Sequence, residues 1–403
     1  MHGGVHFTSV FTRAVASWVV VAAHRFSRRW LLVAAGAAGL VAAGSIPLPA
    51  AAVDTDVDRL RGRIMDDPVS PHVGYAESTG RLGLPPIPQL ESSVALLTTT
   101  TRIRSFVAGF DRWRVDQVQE AGERDTYHVD GTEYVWDHGA QQLTRVVGAT
   151  PLRLPRASDL TPPDLGRRLL RLSRADPVSP LPARRIAGRD AAGLRVTPAD
   201  PETTIGHVDV WADPANALPL RVEVAPRAGD PLLFTEFVEV SAGPPDPVEV
   251  TPWTPPGADA ISATAADLSG ALRVLDAPPP PDRLAGRDRV SLGGATATTL
   301  DGRPVELQLP GSELPGLGLY GSGLAGFALV PVSVEIARQA VDSAGTAGGA
   351  EVSVPRGRAV ALSTPLLSVV AWARGRSGVL LAGTVSPDVL ERALGELPVR
   401  RPQ

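Results

Sequence analysis

The chain's acid–base and metal-ligating material is 7 His and 43 Asp plus Glu, with no Cys. Without Cys there is no thiol nucleophile, no disulfide and no thiolate metal ligand, and the redox compartment cannot be read from Cys usage. The His residues are scattered, and none falls into the HExxH spacing that puts two zinc ligands on one helical face. His128 and His138 lie in strand-and-turn segments beside Asp125, Asp130 and Asp137. A metal site there competes with satisfied or exposed histidines, and the second reading is the expectation. Asp66 and Asp67 sit at a predicted helix end, where no cleft is implied. Ser322 lacks the first glycine of a G-x-S-x-G elbow. Gly316, Gly318 and Gly321 match G-x-G-x-x-G, but they follow Pro315 and precede strand-like "GFALVPV". A dinucleotide site needs a strand before and a helix after, so these glycines read as a loop. No catalytic residue, cofactor or metal is expected, and the chain reads as a non-enzymatic protein.

What remains is apolar recognition. Phe106, Trp113, Tyr134, Trp136, Trp211, Phe234 and Phe237 are spread along strand-like segments. They either fill a packed core or line an apolar concavity. Between the strand-like runs lies "TPPDLGRRLLRLSR", with Thr161 as N-cap, Pro162 at the first helical position and Asp164 in the first turn. Leu165, Leu169 and Leu172 recur at helical spacing, with Arg167, Arg168 and Arg171 opposite. This is an ordinary helix packed on a sheet, or a lid over a concave sheet face. On the second reading the seven aromatics and three leucines line a site for an acyl chain or apolar peptide.

The elements that position these residues follow from pattern. Val57, Leu60 and Ile64 predict a helix over 54–67, ended by Pro68 and Pro71. From Gly74 to Val147 the texture is strand-like: "SSVALLTTTTRIRSF" is rich in β-branched residues, "DRWRVDQVQ" alternates, and "DGT" is a turn signal. Such spacing predicts one large antiparallel sheet. "HVDVWADPANALPLRVEV" reads as a hairpin with Val210 opposite Leu220 and Val208 opposite Val222. That register places Asp209 against Arg221 and His207 against Glu223, opposite charges on the wet face. In the turn, Asn216 is the residue suited to the left-handed region, and Trp211 sits at the rim. A proline-punctuated stretch, 246–282, reads as a partly extended linker. Beyond it, 283–403 predicts a small α+β domain, with a helix capped by Ser333 and another over "SPDVLERALGELP".

The 403 residues leave room for two or three domains. Hydrophobic content of 43% and charge of 20% describe a globular chain. Net charge is −4 and no basic block lies beyond the N-terminus, which argues against nucleic acid as a partner. Arg25, Arg28 and Arg29 precede the apolar run Trp30–Ile46, and small residues follow at Ala50, Ala51 and Ala52. This is the layout of a secretory signal, 1–52, either cleaved or retained as an anchor that keeps membrane contact. The run is short for a spanning helix, which needs about 20 apolar residues. In either case the chain after Val53 is expected outside the cytoplasmic membrane, on its outer face or secreted. Residues 1–52 hold four Arg and no acids, so that exported part carries −8 (−4 minus +4).

Three blocks, "TTTTRIRSFVAGFDRWRVD", "DGTEYVWDHGAQQLTRV" and "DVWADPANALPLRVEV…FTEFVEV", resemble the Lol-type lipoprotein-carrier superfamily, which includes RseB-like regulators. The most specific part is the D-P-x-x-x-L-P turn with a basic return strand: Asp213, Pro214, Leu218, Pro219 and Arg221. The resemblance covers about 70–245. It implies an α+β fold: an open, half-barrel antiparallel sheet over 54–245 with helices in its concave face. It also implies binding of a lipid, an acyl chain or a lipidated protein. The smaller C-terminal domain after the linker is similar to the layout of RseB-like proteins. That layout implies a sensor or regulator whose partner is the exported part of an anti-sigma factor. A single-domain carrier would instead imply lipid or lipoprotein transfer. The C-terminal stretch "STPLLSVVAW…VLLAGTVSPDVLERALGEL" resembles RseB-like proteins of GC-rich Gram-positive bacteria. That envelope and the missing lipoprotein cysteine weigh against carrier function, and lipid or lipoprotein binding and transfer stays as the alternative.

Overall fold

The computed structural model describes residues 55–85, 91–119, 122–147, 154–264, 272, 275, 277–290, 296–298, 304–306 and 316–398. The expected signal segment lies outside them. Helix α1 (Val57–Asp66) starts where Asp56 accepts hydrogen bonds from the Asp58 and Arg59 amides, and it buries Leu60, Ile64 and Met65. Strand β1 (His72–Gly80) follows, then α2 (Glu91–Thr98) and a meander of β2 (Thr100–Gly109), β3 (Arg112–Gln119), β4 (Gly122–Val129), β5 (Thr132–Asp137) and β6 (Gln142–Val147). A 3-10 turn (Ala157–Leu160) leads into α3 (Pro162–Leu172). Strands β7 (Val178–Ile186), β8 (Arg189–Val196), β9 (Ile205–Asp213), β10 (Leu218–Pro226), β11 (Leu233–Ala242) and β12 (Asp259–Thr264) complete a twelve-stranded sheet. Its order is β12-β6-β5-β4-β3-β2-β1-β11-β10-β9-β8-β7, so the ends do not meet and the sheet is open.

The fold is α+β, as the sequence predicts, with two departures. The sheet is mixed, because β12 pairs parallel with β6 while the other neighbours are antiparallel. That strand comes from the proline-punctuated stretch expected as linker: Asp259–Thr264 is free of proline and can donate to a ladder. The segment "SSVALLT" is helical where strand was expected. Val94 and Thr98 are its only β-branched residues, and burial of Leu96 and close seating of Leu97 on Gly80 override the strand texture.

One core lies between α1, α3 and strands β8 to β10, toward the β7 edge of the sheet. Leu60, Ile64, Leu165 and Leu170 meet Leu194, Val208, Val210 and Val222 there. Helix α3 comes so close that a Cβ on Gly166 would stand 3.1 Å from Val222 Cγ2 and 3.3 Å from Pro219 Cβ, which explains a glycine inside a helix. The buried stripe of α3 is Pro162, Pro163, Leu165, Gly166 and Leu170, not Leu165, Leu169 and Leu172. The helix is rotated by this contact, so Leu169 is half-buried and Leu172 is exposed.

The β9–β10 hairpin forms with a shifted register. Val210 pairs with Val222, Val208 with Val224, and Asp209 with Glu223. Asp209 therefore does not face Arg221, nor His207 Glu223; Arg221 faces Trp211 and Ala225 faces His207. Two features produce the shift. The turn spans four residues, with Ala217 and not Asn216 in the left-handed region (φ 55°). The pairing is then irregular between Pro219 and Arg221, as a bulge at Leu220. Asn216 supports the turn differently, its Oδ1 accepting from the Leu218 amide at 3.1 Å.

Two short ribbons follow: β13 (Arg283–Leu284) with β14 (Arg287–Asp288), and β15 (Thr296–Thr298) with β16 (Pro304–Glu306). A second sheet is ordered β17 (Gly318–Ser322), β18 (Ala325–Ser333), β22 (Ser377–Gly383), β21 (Ser368–Arg374), β20 (Arg358–Ser363), β19 (Ala350–Val352). Helix α4 (Val334–Thr346), capped by Ser333 Oγ, covers one face through Ala340 and Val341 on Ala371. Helix α5 (Pro387–Glu396) covers the other through Leu390 and Leu394 on Val370 and Trp372. The two sheets are joined by a bridge between Thr203 and Val385 and by Arg287, which reaches Asp200 at 2.9 Å and Glu202 at 3.1 Å.

Candidate functional site

Strand alternation carries one row of residues across β1 to β6: His72, Val107, Trp113, His128, Glu133 and Val146 are successive cross-strand neighbours. This row is the floor of a cavity of about 930 Å³. The 3-10 turn and α3 form the facing wall, with Arg167, Arg168, Arg171 and Leu172 directed to it. Phe110, Val147 and Leu172, all exposed, stand at its rim. The floor is ordered by ring contacts. Trp113 and His128 stack with centroids 5.4 Å apart, and the Arg156 guanidinium lies 5.7 Å from the Trp113 ring centroid. Arg156 is held there by Glu133 at 2.5 Å.

The wall is cationic beyond its own needs. Arg168 is paired with Asp159 at 3.0 Å. Arg171 donates Nε and Nη2 to the Met65 carbonyl oxygen, at 3.2 and 2.6 Å, and Arg167 forms no salt bridge among the described residues. Burial, with Arg171 beside it, lowers the Arg167 pKa, although Asp164, Asp67 and Asp66 act against this. A half-buried guanidinium without a salt-bridge partner favours an anion in the cavity. His72 contributes differently. Its Nδ1 lies 2.8 Å from the Ser70 carbonyl oxygen, which makes Nδ1–H the donor and leaves Nε2 as an acceptor without a hydrogen bond. Burial lowers its pKa, so the ring is neutral in the native state.

Of the ten residues expected to line a ligand site, Trp113 and Leu172 line this cavity. Leu165 and Leu169 pack into the core with α1. Phe106 alternates with Val107 and lies on the opposite face, under the Arg114 guanidinium at 5.3 Å. Tyr134 and Trp136 cluster with Tyr127 and Leu143. Trp211 is buried, not at the rim; its Nε1 donates to the Pro182 carbonyl oxygen at 3.1 Å and the Arg184 guanidinium lies 3.9 Å from the ring centroid. Phe237 belongs to the same group and meets His72 edge-on at 5.6 Å. Phe234 sits between the guanidiniums of Arg81 and Arg221, each 5.4 Å away. The ten therefore do not share one cavity. Val107, His128 and Arg156 complete the floor, and the alternation around Trp113 is the signal that could have found Val107 and His128.

The opposite face of β2 to β5 carries a polar cluster. Asp116 and Asp125 are direct cross-strand partners and both are buried. Arg114 reaches Asp116 at 2.5 Å and Asp125 at 3.0 Å, while Arg104 pairs with Glu123 and lies 3.4 Å from Asp116. Burial pushes the Asp116 carboxyl up to about 8 against the pull of Arg114. It raises Asp125 too, opposed by Arg114 and His138.

No family model and no curated sequence matches the chain. Among solved structures, the chain is similar to MucB. The MucA/MucB complex of Pseudomonas aeruginosa aligns over 84% of this chain and 95% of that chain, at 15% identity and a TM-score of 0.42. A crystal structure of MucB with MucA(peri) covers the same shares at 15% identity and a TM-score of 0.41. A LolA superfamily protein of Nitrosomonas europaea aligns over 49% of this chain and 98% of its own, at 13% identity and a TM-score of 0.22. Among the described residues, no helix is long and apolar enough to cross a membrane.

Proposed function

We propose that this chain is an extracytoplasmic, non-enzymatic regulator of RseB type that senses an amphiphilic ligand. The observation that carries the reading is the cavity of about 930 Å³ between α3 and the β1–β6 floor. Its volume is in the range of sites that enclose a small-molecule ligand. Val107, Trp113, Val115 and Leu172 offer contact to an acyl chain, and Arg167 offers a counter-charge to an acidic head. The basic and apolar N-terminal pattern supports export. The D-P-x-x-x-L-P hairpin, and the second sheet with its two helices, support the RseB-type layout. The partner in this reading is the exported part of an anti-sigma factor, which rests on the sequence resemblance.

The test has two arms. Titration with a fluorescent fatty acid, such as cis-parinaric acid, should saturate the protein, and Trp113→Ala should weaken binding. Capture of membrane proteins from the native host should return an anti-sigma factor, and deletion should alter the transcription it controls. Probe binding without such a partner would favour lipid or lipoprotein transfer in the envelope. Absence of both would leave a structural module and reject the proposal.

A further inference from the structure

The polar cluster on the face away from the cavity gathers more carboxyls than guanidiniums. Asp116, Glu123, Asp125 and Glu249 surround Arg104 and Arg114. The β5–β6 turn adds His138, whose Nε2 is 3.1 Å from Asp125 Oδ2. Glu123, Asp125 and His138 each offer one ligand atom, all within 4.8 Å of one another. Independently of that grouping, the central residue carries an orphan atom. The Asp125 side chain is 2% exposed, and its Oδ1 has no hydrogen-bond partner. Arg114 and His138 occupy Oδ2 alone. A buried carboxylate oxygen without a donor is a costly arrangement that a cation relieves.

We propose that Glu123, Asp125 and His138 form a binding site for a transition-metal dication of the zinc class. The donor set decides the class. One imidazole with two carboxylates suits zinc, whereas calcium and magnesium prefer oxygen alone. Asp125 would bind through Oδ1 and keep its bond to Arg114 through Oδ2. His138 would exchange its contact with Asp125 for the metal, and the partly exposed position of the site leaves room for water as the fourth ligand. The ion would tie β4 to the β5–β6 turn. None of this involves the cavity, so the site stands apart from the proposed function.

Isothermal titration of untagged protein with zinc chloride tests it, with calcium and magnesium chloride in separate runs. A single zinc per chain is expected, with no comparable uptake of the other two. His138→Ala, at an exposed position, should weaken zinc binding about tenfold or more, and Glu123→Gln likewise. Circular dichroism confirms that each variant is folded. His128→Ala, on the opposite face, should bind zinc as the parent does. No zinc uptake by the parent overturns the site. So does a folded His138→Ala that binds as tightly as the parent, a loss in His128→Ala, or equal uptake of calcium.

Discussion

Asp209 and Glu223 face each other directly across the β9–β10 hairpin, two buried carboxylates in one cross-strand pair. Like charges so placed repel, and the strands hold them because arginines arrive from three sides. Arg195 grips Asp209 with two bonds, at 2.7 and 2.6 Å, while Arg184 and Arg221 reach Glu223 at 2.9 and 2.6 Å. Arg195→Ala should therefore destabilise the protein by about 1–2 kcal/mol, a value reduced because Arg195 is partly exposed. Adding Asp209→Asn should restore part of the loss. Urea unfolding of the four members of this cycle measures the coupling, and additive losses would reject it.

The cavity separates binding from stability on one helix. Leu172→Glu changes an exposed residue at the rim and should alter unfolding free energy by less than about 0.5 kcal/mol. Acyl-probe affinity should fall. Leu170→Ala, two residues earlier and on the core side of the helix, should cost about 2–5 kcal/mol. Leu169 is a poor test site, because it is half-buried against the same core and its substitution mixes the two effects.

Arg167 predicts preference for an acidic ligand. Replacement by Gln should weaken binding of a fatty acid but not of the fatty alcohol of equal length. Stability should hold or rise slightly, since a half-buried cation without a salt bridge is removed. Competition of both ligands against one probe gives the ratio. Equal loss for the two would show that the guanidinium packs and does not pair.

His72 gives stability a pH dependence of known sign. Its pKa lies below the ordinary 6.5 in the folded state, so the unfolded chain takes up the proton first as pH falls. Stability contributed by the neutral ring is present above about 6.5 and is lost as pH falls from there toward the folded value. His207, also lowered by burial, adds a slope of the same sign. The measurement is thus the difference between the parent and His72→Asn in denaturation midpoints from pH 7.5 to 5. The variant should show the shallower slope; identical slopes would exclude His72 as a source.

Local signals survived well from sequence to structure. Thr161 caps α3 as its spacing indicates, with the Asp164 amide 3.4 Å from Thr161 Oγ1, and Ser333 caps α4 in the same way. What failed depended on contacts between distant segments. Alternation shows that Trp113 and Trp136 stand on strands, but not which face of the sheet receives the helices. The two lie on opposite faces, and only Trp113 meets the cavity. The hairpin register turned on Ala217 accepting a conformation better suited to Asn216, and on a bulge next to Pro219. Helix α2 is fixed by Leu97 resting on Gly80, a contact between segments that no local pattern encodes. The polar cluster was foreshadowed by Asp125 and His138, yet pairing Asp116 with Asp125 needed the β3–β4 register.

Through Gly166, α3 is seated closely on Pro219 and Val222 of β10, and this contact fixes the cavity wall. Swinging this helix outward would strip Leu170 from the core and break both bonds from Arg171 to the Met65 carbonyl. On the proposed function, a guest would therefore enter and leave past the exposed Phe110, Val147 and Leu172 while the wall keeps its contacts. Side-chain size at that doorway would then set residence time, and with it how long a response outlasts the ligand.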